Sequence, residues 1–282
     1  MPETQTLMTG LVVGESPRWH EGRLWFSNWG AGEIIAVDTE GNGEVMARVP
    51  TTIPFCFDWL PDGRMLLVSG PEARLLRMES DGSFVTHADL GNLAVAFNEI
   101  VADGRGNAYV NGGDFDFGTG EGAESGVVAL VRPDGEVRKV AEGIAFGNGM
   151  AVTPDNSTLI VAESWARRLT AFDITPDGAL SNRRVWADLG DAPPDGICLD
   201  AEGAVWAASG QQCVRVREGG EVLQKIETDL FCFACMLGGE EGKTLFIVAA
   251  QWRGVENMAA MFESHTGQVL TADAPAPRVG WP

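Results

Sequence analysis

Leu60-Pro-Asp-Gly-Arg-Met-Leu-Leu67 is an apolar entry, a polar Asp-Gly turn and a short apolar run of β type. Asp offers a side-chain acceptor to the turn and Gly a permissive backbone, so the stretch reads as a β-hairpin. The same pattern stands upstream at Trp19–Phe26 and downstream at Val101–Val110, Val152–Val161, Leu199–Ala207 and Leu237–Ile247, which makes six copies. Their central strand residues, Trp25, Leu66, Tyr109, Ile160, Trp206 and Phe246, lie 40 to 51 positions apart. That spacing suits a unit of four strands. A second hairpin follows the first, as in Leu75-Leu-Arg-Met78 before Ser80-Asp-Gly82. Two hairpins make a blade, and six blades closed in a ring bury both faces of every sheet. The chain is therefore expected to be all-β, a six-bladed β-propeller of four-stranded blades around a central channel, with residues 1–282 forming a single domain. An open sandwich is the alternative. Residues 258–282 are the least regular, and an N-terminal segment is expected to pair with them to close the ring.

Composition agrees. The 282 residues include 36 Gly and 9 Trp, an excess that fits a chain of many turns and packed sheets. With 20 Lys+Arg against 40 Asp+Glu the net charge is −20, and the basic residues never gather, so phosphate backbones and anionic membranes are poor partners. The start, Met1 to Gly10, has neither the basic nor the apolar stretch of a signal peptide, and no run of about 18 apolar residues occurs. A cytoplasmic protein is expected. The five cysteines, Cys56, Cys198, Cys213, Cys232 and Cys235, are odd in number and set in apolar contexts, as buried reduced thiols are.

Equal offsets within the repeat should converge in space at one mouth of the channel. About 10 to 12 positions before each central strand residue stand Glu15, Cys56, Asn98 with Glu99, Asn148, Asp195, and Ala234 with Cys235. Oxygen donors thus fall in repeats one, three, four and five. A turn or cap role does not require Glu, Asn and Asp at the same point of different blades, whereas a hard cation needs carboxylate and amide oxygens converging.

These residues also carry a resemblance. Gly14-Glu-Ser-Pro-Arg-Trp19, Phe97-Asn-Glu-Ile-Val-Ala-Asp103, Asn148-Gly-Met-Ala-Val-Thr-Pro-Asp155 and Asp195-Gly-Ile-Cys-Leu-Asp200 resemble, in order and spacing, the gluconolactonase and regucalcin-like family, which includes senescence marker protein and luciferin-regenerating enzyme. The resemblance implies one divalent cation (Ca, Mg, Mn, Zn or Fe) held by Glu15, Asn148 and Asp195, with Asn98 as a further ligand through water or a substrate contact. It also implies hydrolysis of a small, sugar-type lactone. Two departures stand out: Glu99 replaces the family's usual Asp, and Ala96 stands where the sugar-lactone enzymes often carry Arg. Arg18 is the candidate to replace that guanidinium, with a structural surface role as the alternative.

An ion with three protein ligands keeps positions open for water and a carbonyl, the arrangement of a catalytic site. Asp195 is the first candidate for general base, with water activated directly by the cation as its competitor. The loop Asn111-Gly-Gly-Asp-Phe-Asp-Phe-Gly118 suits a flap over a polar ligand, which makes Asp114 a substrate contact alongside Asn98, Glu99 and Arg18. Trp29, Phe55 and Trp165 are candidate apolar walls, and Glu163 reads as a solvated acid at the opposite rim. Three scattered histidines, the lack of a Gly-x-Ser-x-Gly elbow and a Cys232-Phe-Ala-Cys235 pair in a strand entry argue against His-based, serine and zinc or redox-motif chemistry. Hydrolysis of a phosphotriester or other ester at the same site, and a cation-binding or interaction propeller without turnover, are the competing functions. Oligomeric state has no signal.

Overall fold

The computed structural model describes residues 4–115, 121–122 and 124–281. Among them the strands form six antiparallel sheets of four strands each. Blade one runs from its innermost strand Val13–His20 through Arg23–Trp29 and Glu33–Val37 to Gly43–Arg48. Blades two to five repeat this order, with innermost strands Phe57–Trp59, Ala96–Ala102, Gly147–Val152 and Ile197–Leu199. Innermost strands of neighbouring blades touch, those of blades one and two through the Ser16 hydroxyl and the Phe57 backbone, which closes the ring into a six-bladed β-propeller.

The sixth blade is built from both parts of the chain. Phe231–Gly238, Thr244–Ala250 and Gly267–Asp273 pair in sequence, and Gln5–Leu11 adds as the outer strand, with Gln5 opposite Thr271 and Leu11 opposite Gly267. The expected N-terminal closure is thus present. The six central residues of the repeat all lie on the second strand of their blade and all are buried, from Trp206 and Tyr109 at 0% to Trp25 at 7% exposure.

The hairpins turn as their Asp residues require. Asp103 accepts from the backbone N–H of Arg105 and Asn107, both at 2.9 Å, and Asp38 and Asp200 repeat that arrangement in blades one and five. Apolar clusters fill the spaces between blades, such as Trp25, Phe55, Phe57 and Leu67 between one and two. All five cysteines are free and buried.

The C-terminal residues cross the end of the channel away from the mouth. Arg278 bridges to Asp200 and Trp281 to Val152, while the Trp281 ring lies against Gly104, where an added Cβ would meet it at 2.7 Å. Among the described residues the longest helix is the five-residue Met258–Phe262, and none is long and apolar enough to cross a membrane.

Candidate active site at the channel mouth

In blades one, three and four, the pairing of the innermost strand with its neighbour slips where the predicted site residues sit. The irregularities lie between Glu15 and Arg18, between Phe97 and Ile100, and between Gly147 and Met150. Ser16, inside the first, has a left-handed φ of 51°. A bulge leaves residues out of the ladder and re-aims the side chains around it, so Glu15 at the edge of its bulge and Asn98 and Asn148 within theirs turn toward the channel. Asp195 reaches the same place from the segment before Ile197–Leu199. That segment is tied to blade four by the Gly149 N–H, which donates to the Asp195 carbonyl at 3.1 Å. A Cβ at Gly149 would stand 2.7 Å from that oxygen, so this approach requires glycine.

Glu15, Asn98, Asn148 and Asp195 form the polar floor of a cavity of about 360 Å³. The Asn98 amide donates to Asn148 Oδ1 at 3.5 Å, and the Asn148 amide donates to Ser164 Oγ at 3.4 Å. Asn111 holds this layer from behind, donating to the Asn148 carbonyl at 2.6 Å and accepting from the Glu99 N–H at 3.3 Å.

The floor is electrostatically incomplete. Asp195 Oδ1 is shut off from solvent and has no hydrogen-bond partner. Burial pushes the Glu15 carboxyl well up, and the negative charges of Asp195 and Glu99 push it further. Asp195 is raised by burial and by Glu99, against a hydrogen bond from Asn148. Two such acids with amide oxygens beside them are what a hard divalent cation would neutralise, so the donor set fits one. Among the described residues no three His, Cys, Asp or Glu side chains are placed to hold a metal ion together, and the set depends on amides for its remaining donors.

Arg18 and Glu99 are not on the cavity wall. Arg18 is buried beneath the floor, with its Nη2 3.2 Å from Glu99 Oε1 and 2.6 Å from the Ile100 carbonyl, and its Nε 3.4 Å from Asp58 Oδ1. Burial works against its charge, but Asp58 and Glu99 outweigh it and raise its pKa. The guanidinium is thus committed to two carboxylates, neither exposed on the surface nor facing a substrate. Asp114 is exposed and accepts from the Val95 N–H at 2.8 Å, and it is not among the described residues that line the cavity, although Phe115 beside it is. Residues 116–118 of its loop lie outside the described residues.

Glu163 corrects the expectation made for it. Antiparallel pairing sets it opposite Gly147, at the mouth end, and it is fully buried instead of solvated. It accepts from Arg168 at 3.0 Å, Arg183 at 3.2 Å, the Ala145 N–H at 2.8 Å and the Thr170 hydroxyl.

Sequence reasoning missed most of the wall. Trp29 lines the cavity as expected, its indole donating to the Phe55 carbonyl at 2.7 Å. Phe55 itself is fully buried, and Trp165 stands one layer back, stacked on Phe146 at 5.1 Å. The rest of the wall includes Phe115, Phe146, Phe233, Trp252, Met258 and Phe262. The phenylalanines and Trp252 sit in or beside strand ends, and the last two on the short helix, where no repeat marks them.

Residues 13–251 match the model of the SMP-30/Gluconolactonase/LRE-like region. The chain belongs to this family. It is 26% identical over 215 residues to the pentonolactonase XacC of Haloferax volcanii, covering 74% of this chain and 70% of that protein. To the regucalcin of Oryctolagus cuniculus it is 29% identical over 126 residues, 42% of each. A solved luciferin-regenerating enzyme shares the fold with a TM-score of 0.84 at 18% identity, over 99% of this chain and 98% of that one. Family membership and a relative named as a lactonase support an enzyme of the lactonase family.

Proposed function

We propose that the protein is a divalent-cation-dependent hydrolase that opens a small lactone ring, with Glu15, Asn148 and Asp195 holding the cation and Asn98 beside it. The observation that carries this reading is the partnerless, solvent-excluded Asp195 Oδ1 on the floor of a cavity, close enough to the buried Glu15 carboxyl for the Asp195 charge to act on it. The chemistry a bound cation supplies is Lewis acidity toward the lactone carbonyl. The floor amides orient that carbonyl, and the Asp195 carboxylate takes the proton of the attacking water. The water oxygen bonds to the carbonyl carbon, the ring C–O bond breaks, and the ring oxygen leaves with a proton as the hydroxyl of a hydroxy acid. Arg18, Ser16 and Asn111 position Glu99 and Asn148 without touching substrate.

The test is turnover of five- and six-membered lactones by chelator-stripped protein with Ca, Mg, Mn, Zn or Fe(II) restored singly. Turnover only after a cation returns is the expected result. Full activity in the stripped protein, or in Asp195→Asn with cation present, contradicts the assignment.

A further inference from the structure

We infer that the lactone ring of the substrate bears an apolar body, an alkyl or aryl substituent, and is not polyhydroxylated. The inference rests on the hydrolase reading above and names the substrate class of the same site. Among the described residues, and apart from two indoles, every polar side chain lining the cavity belongs to the floor, where Glu15, Asn98, Asn148 and Asp195 are committed to the cation and the reacting group. Of the indoles, the Trp29 N–H already donates to the Phe55 carbonyl.

Above the floor, among the described residues, the wall is hydrocarbon and thioether apart from the indole N–H groups. From blades three and four come Phe115 and Phe146, edge to face at 4.9 Å, with Trp165 stacked behind. From blade six, opposite blade three in the ring, come Phe233 and Trp252, each packed on Phe231 at 5.0 and 5.6 Å. Met258, Met261 and Phe262 of the short helix complete the wall, and Ala96 contributes a methyl group. A hydroxyl carried into such a wall gives up its water and meets at most the Trp252 indole N–H, whereas a methylene gains by leaving water. The interlocked rings are already held in place and lose little freedom on binding, and Met side chains adapt to variable hydrocarbon. The volume of about 360 Å³ leaves room for a lactone ring and a substituent of several carbons.

The experiment compares two series with cation-loaded protein: polyhydroxylated five- and six-membered lactones, and γ- and δ-lactones substituted with hydrogen, ethyl, butyl, hexyl or phenyl. We expect kcat/KM to rise about fourfold per methylene until the cavity is full. The hexyl lactone should exceed the hydroxylated lactones by about a hundredfold or more. In Met258→Gln and Phe233→Asn the dependence on chain length should flatten. Hydroxylated lactones turned over as well as the hexyl compound would overturn the inference and leave the hydrolase reading standing, and so would an unchanged length dependence in both variants. No turnover of either series would instead count against the hydrolase reading. Calorimetric binding of alkyl against hydroxylated lactams then decides the wall's preference alone: tighter alkyl binding supports it, and equal or weaker binding overturns it.

Discussion

Glu15 and Glu163 are both buried glutamates at the mouth end of their blades, and their surroundings are opposite. Glu163 meets two guanidinium groups, a backbone N–H and a hydroxyl, and although burial raises its pKa, these bonds outweigh it and hold the carboxyl below its ordinary value. Glu15 meets the charges of Asp195 and Glu99, and the nearest guanidinium, Arg18, is spent on Asp58 and Glu99. Burial of an acid among cations makes structure. Burial of an acid among acids has no structural return and marks a place kept for an external positive charge.

The widest separation between these environments should appear in turnover. Asp195→Asn or Glu15→Gln is expected to lower kcat/KM by about 10³-fold, while Glu163→Gln, measured on its folded fraction, keeps its activity. Equal losses at both glutamates would erase the distinction. Cation binding comes next: at a hundred to a thousand times Kd, a divalent ion should stabilise the wild type by about 3–4 kcal/mol in denaturant titrations, and Glu15→Gln should lose that gain. In chelator the order reverses. Glu163→Gln should be destabilised by about 2–4 kcal/mol, because Arg168 and Arg183 lose their buried partner, and Glu15→Gln should be unchanged or more stable, because a repulsion is removed.

The smallest effect is in pH. The pKa of Glu163 is lower folded than its ordinary 4.5, so its contribution is fully present above that value and is lost as pH falls through the folded pKa. The stability gap between wild type and Glu163→Gln should therefore be constant from pH 6 to 8 and narrow below about 4.5. A gap that widened on acidification would contradict the ion-pair account.

The fold was legible because each blade repeats the same hairpin grammar, and the floor was legible for a related reason. Glu15, Asn98, Asn148 and Asp195 occupy equivalent offsets, and symmetry turns equal offsets into proximity. The wall obeys no such rule: Trp252, Met258 and Phe262 lie in an insertion between the second and third strands of blade six, and Phe146 in a turn between blades. Arg18 was misplaced because its partners, Asp58 and Glu99, lie in other blades, and distance along the chain hides that pairing. Glu163 was misplaced because a strand end reads as exposed until Arg168 and Arg183 are seen to cover it.

The pairing of Gln5–Leu11 with Gly267–Asp273 also sets a timetable for synthesis. Gln5–Leu11 is made well before its partner Gly267–Asp273, with the other five blades between them, so its edge stays open while they are made. Its apolar side chains, Leu7, Met8 and Leu11, stand among threonines, glutamine and glycine and reach the core only once Gly267–Asp273 is in place. A chain lacking Gly267–Asp273 would leave Gln5–Leu11 without its partner, the sixth blade half built and the ring unclasped.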